Sequence, residues 1–103
     1  MKVFITEPAK VSLREICKYY RSKGFGAYAK RLRIAVISSA KNLAANPFKG
    51  QEEELLRPLH QGHRYLIIEE HYKLIYLPEA ENIYVTDIFD TRQHPDKMLK
   101  RHQ

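Results

Sequence analysis

The stretch "HRYLIIEEHYKLIYLPEAENIYVTDIFDTRQHP", residues 63–95, decides the fold. It holds three runs rich in β-branched and aromatic residues, 63–68, 72–77 and 83–89, separated only by Glu69–His71 and by "PEAEN" at 78–82. Breaks that short leave no room for a crossover helix, so the runs are expected to pair as an antiparallel meander. Strand alternation then sorts the side chains. Arg64, Leu66 and Ile68 share one face, and Tyr65 and Ile67 the other; in the next run Lys73, Ile75 and Leu77 lie opposite Tyr72, Leu74 and Tyr76. A hairpin between them is expected to bring Arg64 and Lys73 to one side.

Working upstream, "KVFIT" at 2–6 has the composition of a short strand. Thr6, Glu7 and Pro8 make a helix start, because threonine caps the first turn and proline is tolerated within it. Leu13, Ile16, Cys17 and Tyr20 then recur as the apolar stripe of a first helix, which "RSKGFG" breaks. A second helix is expected over roughly 26–45, with Tyr28, Leu32, Ala35, Val36, Ser39 and Leu43 on one face and Lys30, Arg31, Arg33 and Lys41 largely off it. "NPFKG" stops it, since Pro47 disfavours helix at Asn46. The acidic "QEEELLRPLHQG" reads as a connector with room for one helical turn, and residues 95–102 as a last helical turn or two. The expected fold is α+β, in the order β-α-α-β-β-β: a two-helix hairpin packed on a small, mostly antiparallel sheet, its other face left open for a ligand.

The chain has 103 residues, the size of one domain, and 44% apolar residues, too many for disorder. No apolar run is long enough to span a bilayer, and the first ten residues lack the core of a signal peptide, so a cytoplasmic protein is expected. The single cysteine, Cys17, allows no internal disulfide and reads as a small core residue. Charge is unevenly spread: residues 1–50 carry eleven Lys/Arg against two acids, and residues 51–103 seven against ten. A half at +9 favours a polyanion or an acidic partner.

The candidate site follows from the end of the meander. Arg92 and His94 stand just past the third run, and Arg57 and His63 precede the first, so with Arg64 and Lys73 they form an expected cationic patch. Such a patch suits phosphodiester cleavage, where fixed cations stabilise charge developing on the phosphoryl oxygens. His94 is the group that titrates nearest neutrality and suits proton transfer. No metal or cofactor is expected, because His60, His63 and His71 lack the spacing of a zinc site. Asp87, set in an apolar run, reads as a hydrogen-bonded structural acid.

Taken together, "ITEPAKVSLREICKYY", "LAANPFKG", the Gly-x-Arg-Tyr-Leu of 62–66, the Tyr-Lys-Leu-Ile-Tyr of 72–76 and the Arg-x-x-Pro of 92–95 resemble the RelE/ParE superfamily of toxins from bacterial type II toxin–antitoxin systems. The "TRQHP" ending is similar to toxins known as plasmid stabilisation proteins. The resemblance implies a growth inhibitor neutralised by an acidic antitoxin in a hetero-oligomer. RelE-like members cleave mRNA in the ribosome, and their basic site maps onto Arg64, Lys73 and Arg92. A further lysine of that site falls on Leu66, and a C-terminal tyrosine of some members falls near Leu99, leaving His94 as the substitute. ParE-like members instead inhibit DNA gyrase, and for that reading the exposed cations of the helical hairpin, Arg31 and Arg33, are the contact candidates. The expectation is a metal-independent, ribosome-dependent endoribonuclease. Gyrase inhibition without nuclease activity, or a non-toxic basic binding module, are the alternatives.

Overall fold

Thr6 acts on two elements at once. Its side-chain oxygen accepts the Ala9 N–H at 3.4 Å and its hydroxyl donates to the Val85 carbonyl at 2.9 Å, so one residue caps a helix and ties it to a strand. The computed structural model describes residues 1–103. Its order is β1 (Lys2–Ile5), α1 (Glu7–Ser22), α2 (Gly26–Asn42), β2 (Gln51–Glu52), a 3₁₀ helix (Glu54–Leu59), β3 (Arg64–Ile68), β4 (Tyr72–Glu79), β5 (Asn82–Asp90) and α3 (Asp96–His102). The five strands lie side by side as β1-β5-β4-β3-β2; β1 runs parallel to β5 and the other pairings are antiparallel. This is the α+β arrangement the sequence predicts, with one strand added.

The added strand is β2, inside the acidic connector. Gly50 makes it possible: a Cβ there would stand 2.5 Å from the Tyr65 carbonyl oxygen and 2.8 Å from the Tyr76 ring. Without one, the chain passes close enough for the Gly50 N–H to donate to the Tyr76 hydroxyl at 2.9 Å, and Gln51 and Glu52 pair with Tyr65 and Arg64. β4 also runs past the expected end at Leu77, through Pro78. Its pairing with β3 stops at Tyr76, so the missing proline N–H faces no strand. α2 ends at Asn42 rather than 45, and 43–46 continue as tight turns before Pro47.

The main core lies between the helical hairpin and one face of the sheet. Leu32, Val36 and Leu43 are fully buried there against Leu74, Tyr76, Ile83 and Val85. Cys17 is buried in the hairpin seam, its thiol 3.6 Å from the Ala29 carbonyl.

Two expectations about the opposite face are overturned. That face is not open: Ile75 and Phe89 are buried beneath Leu56 of the 3₁₀ helix and Met98 of α3, forming a second small core. The apolar side chains that alternation sends to that face need cover, and the connector and the tail supply it. Nor do Arg64 and Lys73 share a side. The loop Glu69–His71 has three residues and closes on the pair Ile68–Tyr72, so Arg64 stands opposite Tyr76 and Lys73 opposite Ile67. Arg64 therefore belongs to the helix-packed face and Lys73 to the other.

Candidate functional site

β1 ends at Ile5 and covers β5 only from Asn82 to Val85. The second half of β5 consequently has no strand on that side, and α1 stands along it across an open groove of about 1300 Å³. The groove is lined by Ser12 and Tyr20 of α1, Asp87 and Asp90 of β5, Arg92 beyond it and Arg101 of α3. Val11, Tyr19 and Phe25 add exposed apolar surface to its wall.

Arg92 is the best-held cation there. Its guanidinium forks onto Asp90, with Nε 2.9 Å from Oδ1 and the terminal nitrogen 3.0 Å from Oδ2, and the Arg92 backbone N–H donates to the same carboxylate. It also donates to the hydroxyls of Tyr72 at 3.2 Å and Tyr20 at 3.4 Å, which lie 2.8 Å from each other. Burial alone would raise the Asp90 carboxyl, but the Arg92 hydrogen bonds outweigh it and hold it below the usual range. The bond to Tyr72 and then the guanidinium pull Tyr20 down, whereas burial and the bond to Tyr20 push Tyr72 up. The Asp90 hydrogen bonds raise Arg92 still further above neutrality.

Deeper in the groove, Asp87 accepts from the Ser12 hydroxyl at 2.7 Å and from Arg101, which also donates to Ser12. The side chain of Asp87 is only 3% exposed, and its second carboxylate oxygen has no partner. It is the hydrogen-bonded acid expected from its place in an apolar strand. Its two donors, from α1 and α3, are visible only in three dimensions.

The remaining candidates are dispersed. Arg64 donates to the Gly50 carbonyl at 3.0 Å and lies over the Phe48 ring, which fixes the turn ahead of β2. Lys73 is 2.7 Å from the carboxylate of buried Glu53 and sits 4.2 Å from the centroid of Tyr65. His94 is 70% exposed, and its Nδ1 accepts the Asp96 N–H at the start of α3. Arg57 is exposed and paired with Glu52 and Glu54. His63 is buried against His102, and burial, with help from His102, pushes it down to about 4. Arg31 pairs with Glu69 over the Tyr28 ring, while Arg33 is exposed with no carboxylate in range.

The expected single cationic patch is therefore divided. Lys73 sits on the α3-covered face, Arg64 at the far edge of the helix-packed face, and Arg92 in the groove. Each is already answered by an internal carboxylate or carbonyl. Sequence reasoning did not find Glu53 as the partner of Lys73, because in "QEEE" nothing marks which acid folds inward. The Tyr20–Tyr72 pair was hidden for a similar reason: both read as core tyrosines, and only the packing of α1 along the sheet brings their hydroxyls together.

A family profile described as "ParE toxin of type II toxin-antitoxin system, parDE" matches residues 3–95. Among solved structures, a chain of the chromosomal ParDE toxin–antitoxin system from P. aeruginosa is similar at a TM-score of 0.71 and 20% identity, over 87% of this chain and 95% of that one. No curated protein sequence matches. The profile spans both helices and the whole meander, and on that evidence the chain belongs to the ParE toxin family of type II toxin–antitoxin systems.

Proposed function

We propose that this toxin arrests growth by binding DNA gyrase, without cleaving RNA, and that an acidic antitoxin neutralises it by occupying the groove between α1 and β5. The observation that carries the first part is the dispersal of Arg64, Lys73, Arg92 and His94. Stabilising a phosphoryl charge requires preorganised donors aimed at one point. Here Lys73 faces away from Arg64 and Arg92 and is neutralised by Glu53. His94 is turned to the backbone of α3. What supports the gyrase target is the resemblance to ParE-like members together with the family match.

The groove suits an antitoxin segment because it sets exposed Val11, Tyr19 and Phe25 beside the part of β5 that β1 leaves uncovered past Val85. Such a surface would take a chain with apolar anchors.

The test is induced expression in bacteria without antitoxin, with pulse labelling of DNA and protein synthesis over the first minutes, followed by gyrase supercoiling assays with purified toxin. A prompt fall in DNA synthesis, intact mRNA and inhibited supercoiling are expected. A prompt fall in translation with cut mRNA would refute the proposal and restore the endoribonuclease reading.

A further inference from the structure

The outer face of the helical hairpin carries charge that the fold itself does not use. On α1, Lys10, Arg14, Lys18 and Arg21 are all exposed and follow one another at i, i+4, i+8 and i+11, a single stripe along the helix. On α2, Lys30, Arg33 and Lys41 are exposed as well. Of these seven, only Arg14 has a carboxylate within ion-pair distance, Glu7 at 3.2 Å. The hairpin's other acid, Glu15, lines the groove instead. Lys10, Arg14 and Lys18 repel one another at i, i+4 spacing, a cost to the helix that the exposed Arg14–Glu7 pair offsets only in part.

The two stripes also meet across the seam. Burial raises the Cys17 thiol in that seam, and the charges of Arg21 on α1 and Arg33 on α2 both act against the rise, so cations of both helices act on the same seam.

We infer that this face of the hairpin is a binding surface for double-stranded DNA, held through its phosphates. Lys10 to Arg21 spans about 16 Å of helix, which matches about five base pairs of duplex at 3.4 Å per step. The charge is fixed on two packed helices, as a regularly spaced backbone requires. Single strands call for aromatic stacking platforms, and an acidic peptide calls for apolar anchors. Of the hairpin's exposed large apolar residues, Val11, Tyr19 and Phe25 line the groove, leaving only Ile34 outside it. Peptide chemistry thus belongs to the groove and phosphate chemistry to the convex face.

This inference does not rest on the gyrase reading, and its test contains no gyrase. Binding of the full chain to a short labelled DNA duplex is measured by fluorescence anisotropy over a salt series. Wild type is expected to bind with a log–log salt slope of about −0.9 per phosphate neutralised. The triple variant Lys18→Gln/Arg21→Gln/Arg33→Gln is expected to lose about 2.7 from that slope and at least tenfold in affinity at low salt. A control, Lys2→Gln/Lys97→Gln/Lys100→Gln, removes the same net charge from the rest of the surface and is expected to bind like wild type. Three results would overturn the inference: no salt-dependent binding by wild type, an equal loss in the control, or tighter binding of polyglutamate than of duplex at matched charge.

Discussion

Exchanging Lys73 for methionine keeps the length of the side chain and removes its charge. The carboxylate of Glu53, in a residue 3% exposed, then loses the ammonium group 2.7 Å away and keeps only the Leu55 N–H at 3.1 Å. At that separation the gross attraction is about 6 kcal/mol for an effective dielectric near 20, most of it offset by the desolvation of both groups. Removing one partner is a different matter, because the other stays buried and unanswered, at a cost of about 3–5 kcal/mol. Since the Lys73 side chain is 18% exposed, water screens part of the loss and the lower end applies. Lys73→Met is therefore expected to destabilise the protein by about 3 kcal/mol, a large share of the roughly 5–15 kcal/mol of a typical domain. The double variant Glu53→Gln/Lys73→Met removes both charges and keeps an acceptor for Leu55, so it is expected to return to within about 1 kcal/mol of wild type. Urea unfolding of wild type, Lys73→Met, Glu53→Gln and the double variant measures the coupling directly. Additive losses, or a Lys73→Met loss below about 1 kcal/mol, would refute the reasoning. If Lys73→Met kept its stability and lost growth arrest, the lysine would be acting on the toxin's target instead.

Two further outcomes test the second face of the sheet and the turn before β2. The unfolded chain protonates His63 near its ordinary value of 6.5, whereas burial keeps the folded imidazole neutral down to about 4. The stability this gives is full above pH 6.5 and drains away as pH falls towards 4, by about 3 kcal/mol in all. His63→Phe is expected to flatten that part of the urea-midpoint profile, and an unchanged acid limb would refute the assignment. Gly50→Ala places a Cβ 2.5 Å from the Tyr65 carbonyl oxygen, a backbone atom that cannot turn aside, and should cost about 1–3 kcal/mol by thermal unfolding. A melting temperature equal to wild type would mean that the turn relaxes freely.

Much of the fold was legible because it rests on local rules. Thr6 capping α1, the stripe of Leu32 and Val36 on α2 and the short breaks of the meander each follow from a few neighbouring residues. The connector was less legible. β2 exists because Gly50 passes a distant tyrosine, and the 3₁₀ helix is held by Leu56 reaching Ile75, Phe89 and Met98. The tail was read as helical, but its role as a cover over Phe89 was not, since amphipathicity names a face and not what that face meets.

The candidate site divides along the same line. Composition and motif alone determined which cations exist, that the basic half is the helical hairpin, and the toxin superfamily that the chain resembles. Which of those cations stand together was decided only by tertiary structure. Alternation sets the faces within each strand, but matching one strand's faces to the next depends on the pairing register. That register is closed by the three-residue loop Glu69–His71, where Glu69 and Glu70 adopt left-handed backbone at φ 47° and 66°. Neither glycine nor asparagine marks such a turn here, so its geometry is imposed by the strands it joins. A register shifted by one residue would have put Lys73 on the face of Arg64, opposite Leu66 or Ile68. The observed register places it over Tyr65 and against Glu53, within the fold's own interior.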